Sequence, residues 1–171
     1  MGHDRNRGEE TMTFNQKETM FLNELKGQEQ VCAEKYERYA ADACDPALGT
    51  LFWDLAQSER RHESILTRLL NGQDGPAPQQ NPQGAQQNAQ QQDAGVKPAY
   101  NGASDGEDKC ADAYLCRDAL AMEKHVSGVY DTGIFEFTQQ SVRDALADIQ
   151  KQEQQHGKRI YDYMAANGMY N

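Results

Sequence analysis

Two sets of carboxylate, phenol and imidazole side chains recur in this chain with the same spacing. Each set has a glutamate, a tyrosine seven residues later, a second glutamate thirty residues after the first, and a histidine three residues further on. The sets are Glu29, Tyr36, Glu59, His62 and Glu123, Tyr130, Glu153, His156, offset by 94 residues. Carboxylate oxygens and imidazole nitrogens are donors that iron and manganese accept. The repeat therefore indicates a duplicated unit that carries matched metal ligands.

The glutamates and histidines of both sets fall on the apolar stripes of amphipathic helices. Glu29 follows Leu25 by four residues, Glu59 follows Leu55 by four, and the other ligands keep similar spacings. Residues three or four apart share one face of a helix, so these side chains should point into the core. A buried carboxylate needs a compensating positive charge or becomes protonated. Two histidines cannot neutralise four carboxylates, whereas two divalent cations can.

The spacing also places the ligands at one height in a bundle of helices. The midpoint of each pair of glutamates is Cys44 or Thr138, and each lies in a predicted turn. Every glutamate is then fifteen residues, or roughly 22 Å of helix rise, from the end of its hairpin. If the hairpins pack face to face, four carboxylates and two imidazoles converge on a dinuclear metal site. A single Glu-x-x-His would be uninformative, because an inward glutamate can instead pair with a lysine or arginine.

The tyrosines of the two sets allow two interpretations. Tyr36 and Tyr130 are favoured as core aromatics whose hydroxyl groups need a partner. Alternatively, their hydroxyl groups hydrogen-bond to the metal ligands.

Four amphipathic helices in two hairpins supply the scaffold. The predicted hairpins span residues 14–70 and 109–167, and no segment alternates as a strand does. Asp45-Pro46 starts the second helix, and Asn71-Gly72 and Asn167-Gly168 are stop signals. Residues 71–108 are dominated by glutamine, glycine, proline and asparagine, which predicts a flexible linker. The fold class is therefore all-α, an antiparallel four-helix bundle within residues 14–171, with a disordered tail at 1–13.

Composition excludes several classes of function. A net charge of -10 and a pI near 4.8 argue against binding to nucleic acid or an anionic membrane. No apolar run approaches the roughly 20 residues of a membrane span, so we expect a protein made for the cytoplasm. The four cysteines form no C-x-x-C pair, which disfavours a zinc ribbon or a rubredoxin-type iron site. They are expected to be reduced thiols, the alternative being cross-links to other chains.

The ligand pattern resembles that of the ferritin-like superfamily, especially the rubrerythrins and bacterioferritins. The ending Tyr163-Met-Ala-Ala-Asn-Gly-Met-Tyr170 and the Asp45-Pro46-x-Leu48 link are similar to spore coat proteins of the coat F family. The resemblance covers residues 14–170 apart from the linker. Rubrerythrins usually carry a further glutamate where this chain has Val126.

The resemblance implies a ferritin-like protein with two iron or manganese ions, deposited in the spore coat in a structural or oxidant-protective role. Its expected partners are metal ions, other coat proteins and further copies of the chain. One alternative is a di-iron or di-manganese oxidoreductase, such as a ferroxidase, peroxidase or catalase-like enzyme. A second alternative is a metal-free helical interaction module.

Overall fold

A computed structural model describes residues 13–73, 97–100 and 106–170. All regular structure in these ranges is helical, which confirms the all-α prediction. The helices are α1 (Gln16–Asp42), α2 (Pro46–Leu70), α3 (Gly106–Ile134) and α4 (Gln140–Ala166). The third helix was expected to begin at Lys109, but it begins at Gly106. Glu107 and Asp108 lie in its first turn, where their negative charges interact favourably with the helix dipole.

The predicted start of α2 and the predicted ends of α2 and α4 are confirmed, whereas α3 ends at Ile134, before the expected Phe137. Asp45 caps α2 by accepting a hydrogen bond from the backbone N–H of Ala47, and Pro46 occupies the first turn. Gly72 and Gly168 follow the ends of α2 and α4 with φ angles of 74° and 60°. These left-handed conformations favour glycine, so each glycine terminates its helix.

The two hairpins pack against each other with their turns at opposite ends of the bundle. The helices α1 and α2 form one hairpin and α3 and α4 the other, with α1 packed on α3 and α2 on α4. The hydroxyl of Tyr36 donates to Glu123, and that of Tyr130 donates to Glu29. These crossed bonds require α1 and α3 to run antiparallel. The ligands still share one height because they lie near the middle of their helices: Glu29 is thirteen residues from either end of α1.

The core consists of two apolar clusters. The first lies towards the α1–α2 turn, and its largest buried members are Tyr36, Leu48, Phe52, Leu55, Ile160 and Tyr163. The second lies towards the α3–α4 turn, and its buried members include Leu22, Leu25, Leu66, Tyr130, Phe137, Leu146 and Ile149. The six predicted ligands belong to neither cluster and occupy the layer between them. Apolar packing on both sides therefore shields this layer from bulk solvent.

Asp112 connects several segments at the end of the bundle where the first apolar cluster lies. Its fully buried carboxylate accepts hydrogen bonds from the backbone N–H groups of Cys44 and Asp45, at 2.8 and 2.9 Å, and from the hydroxyl of Tyr100 at 2.6 Å. The Asn167 side-chain oxygen accepts from the backbone N–H of Ala99 at 2.7 Å. Residues 97–100, which belong to the predicted flexible linker, are thus held on the bundle.

The predicted tail, except for Thr13, and linker residues 74–96 and 101–105 lie outside the described residues. Among the helices that the structure describes, none is long and apolar enough to cross a membrane.

Candidate metal centre

The structure brings all six predicted ligands together in the middle of the bundle. One glutamate comes from α1, one from α3, and a Glu-x-x-His pair from each of α2 and α4. All six residues are buried, with 5% or less of each residue exposed. Their convergence follows from their positions on the apolar stripes near the helix midpoints, because the same packing that buries the stripes buries them.

The six residues form two overlapping groups that could each hold a metal ion. The first group is Glu29, Glu59, His62, Glu153, and the second is Glu59, Glu123, Glu153, His156. Within each group, one donor atom from every residue lies within 4.8 Å of the others. Glu59 and Glu153 belong to both groups, as expected for carboxylates that bridge two ions.

The imidazole nitrogens are surrounded by carboxylate oxygens at distances that suit a shared metal ion. His62 Nδ1 lies 2.8 Å from Glu153 Oε1, 3.0 Å from Glu59 Oε2 and 3.4 Å from Glu29 Oε2. His156 Nδ1 lies 2.9 Å from Glu59 Oε1 and within 3.8 Å of Glu123 and Glu153 oxygens. Adjacent ligands of an octahedral ion with bonds of about 2.1 Å are themselves about 3 Å apart. One nitrogen cannot donate to three oxygens at once, whereas an ion between them could bind all four atoms.

Several buried polar atoms in this layer have no hydrogen bond of normal geometry, although three of them lie 2.8–2.9 Å from a charged partner. They are Glu29 Oε2, Glu59 Oε1, Glu123 Oε2, Glu153 Oε1 and His156 Nδ1. Buried oxygens and nitrogens are normally satisfied, and each unsatisfied atom costs about 1–3 kcal/mol. Every atom in this set belongs to one of the two ligand groups and comes close to its other members. Two cations would satisfy these atoms, so the residues fit a dinuclear metal centre.

The charges of the ligand layer are divided unevenly in the metal-free protein. Burial raises the pKa of Glu29 to about 8 and holds the pKa of Glu123 well above its usual range. Burial also opposes ionisation of Glu59 and Glu153, but the two histidines outweigh it and lower both pKa values. Burial disfavours the charged imidazoles in turn, yet the surrounding carboxylates raise the pKa of His62 and of His156. These directions favour two imidazolium ions, two carboxylates and two neutral carboxylic acids, whose charges would cancel.

The two tyrosines hydrogen-bond to glutamates of the opposite hairpin. Tyr36 is fully buried and donates to Glu123, and Tyr130 is fully buried and donates to Glu29. Each glutamate therefore has one oxygen held by a phenol while the other oxygen faces the layer. The tyrosines are also part of the apolar clusters. Each one is therefore a core aromatic and also donates a hydrogen bond to a predicted ligand.

The sequence pattern missed Gln152, which contacts a predicted ligand from outside the layer. Its Oε1 lies 3.3 Å from Nε2 of His62, on the side of the ring away from the carboxylates. No apolar spacing singles out Gln152, because its side chain is only half-buried. Val126 packs in the second apolar cluster, so this position adds no carboxylate to the layer.

The cysteines supply no thiolate to the site. None of the four is in a disulfide, and Cys44 and Cys110 are exposed. Cys32 is buried, and burial followed by the nearby glutamates raises its pKa, which keeps the thiol neutral. The donor set is therefore oxygen and imidazole, as iron and manganese prefer.

The second hairpin matches a known family. Residues 111–171 match the family model of the Coat F domain, and this range holds most of α3 and all of α4. It includes Glu123, Glu153 and His156, but not the ligands of the first hairpin. The match supports the predicted resemblance to the coat F family over this part of the chain. No curated protein and no solved structure is significantly similar to the chain.

Proposed function

We propose that this protein is a spore coat component whose bundle binds two iron or manganese ions. The observation that carries the proposal is the pair of buried ligand groups that share Glu59 and Glu153. The Coat F domain match supports a place in the spore coat. The bundle would have the ligand arrangement of ferritin-like dinuclear proteins, in which two helices give one glutamate each and two give Glu-x-x-His. Further copies of the chain and other coat proteins are the expected macromolecular partners.

The proposed role of the metals is structural or oxidant-protective. Two divalent ions balance four ionised carboxylates when both imidazoles are neutral, so the buried layer carries no net charge. In this state each unsatisfied oxygen gains a ligand bond, and the two hairpins are joined through the shared glutamates. The ions would therefore stabilise the contact between the two hairpins.

Thermal unfolding with and without metal tests this role. Mn(II) at about 100 times the dissociation constant of each of the two sites should stabilise the parent protein by about 5 kcal/mol, which raises the melting temperature by about 10–20 °C. Glu59→Gln should abolish the increase, because this residue belongs to both ligand groups. Glu63→Gln is the matched control, since Glu63 bonds Gln30 and Arg60 instead of the ligand layer. An equal increase in the Glu59→Gln and parent proteins would contradict the proposal.

The coat assignment needs a separate experiment. Immunoblotting of fractions from purified spores should find the protein in the coat extract and not in the core. A protein confined to growing cells would contradict the coat role without affecting the metal proposal.

A di-metal oxidoreductase is the second candidate. Each ligand group contains four residues, fewer donors than the six ligands of octahedral iron or manganese when each residue binds through one atom. The remaining positions would admit dioxygen or peroxide. Consumption of peroxide by the metal-loaded protein, lost in Glu59→Gln and retained in Glu63→Gln, would favour this enzyme. A loaded but inert protein would favour the structural role, and a protein that binds no metal would favour an interaction module.

A further inference from the structure

The two ligand groups have the same residue types, but they differ in the residue next to the Nε2 atom of the histidine. Gln152 Oε1 lies 3.3 Å from Nε2 of His62. The residue 94 positions earlier, which occupies the corresponding place in the first hairpin, is Ser58. The serine hydroxyl is two atoms nearer its own backbone than the glutamine amide oxygen, so it cannot place an acceptor at the same distance from His156. The two hairpins therefore differ at the position that contacts the histidine from outside the ligand layer.

The amide of Gln152 is oriented by a second hydrogen bond. Its Nε2 donates to the backbone carbonyl of Asp148 at 3.3 Å. A carbonyl oxygen accepts only, so the amide NH₂ faces Asp148 and the amide oxygen faces His62. The amide oxygen in turn accepts only, and it therefore requires a proton on Nε2 of His62. This leaves the Nδ1 lone pair of the neutral ring directed at the three carboxylates, as a metal ligand requires.

The exposure of the side chains and the contacts of the histidine Nδ1 atoms also differ between the two groups. The side chains of Glu29 and His62 are fully buried, whereas those of Glu123 and His156 are 4% and 6% exposed. His62 Nδ1 lies within 3.4 Å of three carboxylate oxygens, whereas His156 Nδ1 has one at 2.9 Å and its next two at 3.7 and 3.8 Å. The position at Glu29 and His62 thus has more close contacts around its imidazole nitrogen before any ion arrives, and its side chains are slightly less exposed.

We propose that the two metal positions are unequal and that Gln152 is the positioning residue that makes them so. The Glu29–His62 position fills first and holds its ion more tightly, and the Glu123–His156 position fills second and exchanges faster. The inference rests on the proposed dinuclear site and deepens it. Groups that orient a ligating histidine typically change metal affinity by about 10–100-fold.

Calorimetric titration of the metal-free, full-length protein with Co(II) tests the inequality. The parent protein should show two binding steps whose dissociation constants differ by about tenfold or more. His156→Ala should retain the tighter step, and His62→Ala should retain only the weaker one. Two equal constants in the parent protein would overturn the inference and leave the dinuclear site intact. A protein with no Co(II) binding at all would instead overturn the proposed function.

Variants of Gln152 test its role. Gln152→Ala should weaken the tighter step by about 10–100-fold, with little change in the weaker step, so that the two constants converge. Gln152→Glu keeps an acceptor oxygen at the same distance and should restore two distinct steps. Ser58→Ala is the matched control at the corresponding position and should leave both constants within about twofold. A merely structural role would weaken both steps together, and that result, or no change in Gln152→Ala, would overturn the assignment.

Discussion

Binding of two metal ions should release four protons near pH 7. In the metal-free protein Glu29 and Glu123 are neutral acids because burial raises their pKa values, to about 8 for Glu29. His62 and His156 are imidazolium ions because carboxylates outweigh burial and raise their pKa values. Two divalent ions need four carboxylates and two neutral rings, so each of these four groups loses one proton. The net charge of the layer stays at zero in both states.

Calorimetry in buffers with different ionisation enthalpies measures this number directly. The slope of observed binding enthalpy against buffer ionisation enthalpy should correspond to about four protons for two Mn(II) ions at about pH 7. The number should fall as the pH rises above about 8, where Glu29 already ionises in the metal-free protein. Glu63→Gln, which changes a glutamate outside the ligand layer, should release the same number. Release of fewer than about two protons would refute the assigned protonation states.

Three further predictions concern stability. The pKa values of the histidines, Glu29 and Glu123 are raised in the folded metal-free protein. Their contribution to the free energy of unfolding is therefore fully present at low pH and is lost as the pH rises through these folded-state pKa values. The melting temperature of the metal-free protein should therefore fall between about pH 5 and pH 8, whereas the melting temperature with saturating Mn(II) should rise; parallel trends would contradict the account. In urea unfolding, Gly133→Ala should cost about 1–3 kcal/mol because the new methyl group overlaps the Phe21 ring. Gly128→Ala, with open space around it, should instead gain about 1 kcal/mol, and equal effects would refute this packing argument. Asp112→Ala should cost at least about 2 kcal/mol by the same assay, because two backbone N–H groups lose a buried acceptor; a cost below about 0.5 kcal/mol would show that water replaces it.

The helices and the burial of the six candidate ligands were predictable from the sequence because they depend on local spacing. Positions three and four apart define the apolar stripes, and Glu29 or Glu153 on such a stripe must be buried once the helices pack. The stop signals at Gly72 and Gly168 depend on glycine's backbone alone, and their positive φ angles agree with the prediction. These features need no knowledge of how the hairpins are arranged.

Features that depend on the arrangement of the hairpins could not be predicted in the same way. The crossed bonds from Tyr36 to Glu123 and from Tyr130 to Glu29 arise only because α1 and α3 are antiparallel. The contact of Gln152 with His62 depends on the register between α2 and α4, which no residue spacing encodes. Tyr100 lies in a stretch whose composition predicts flexibility, yet two buried acceptors, Asp112 and Asn167, hold it.

The metal content of the full-length protein tests the central claim most directly. After loading with Mn(II) and removal of free metal, elemental analysis should find about two ions per chain, because the structure has two ligand groups. Glu29→Gln removes a ligand from one group and should leave about one ion. Glu59→Gln removes a ligand from both groups and should leave almost none, whereas Glu63→Gln should retain two. A parent protein without bound metal, or a Glu59→Gln variant that binds as much as the parent, would contradict the account.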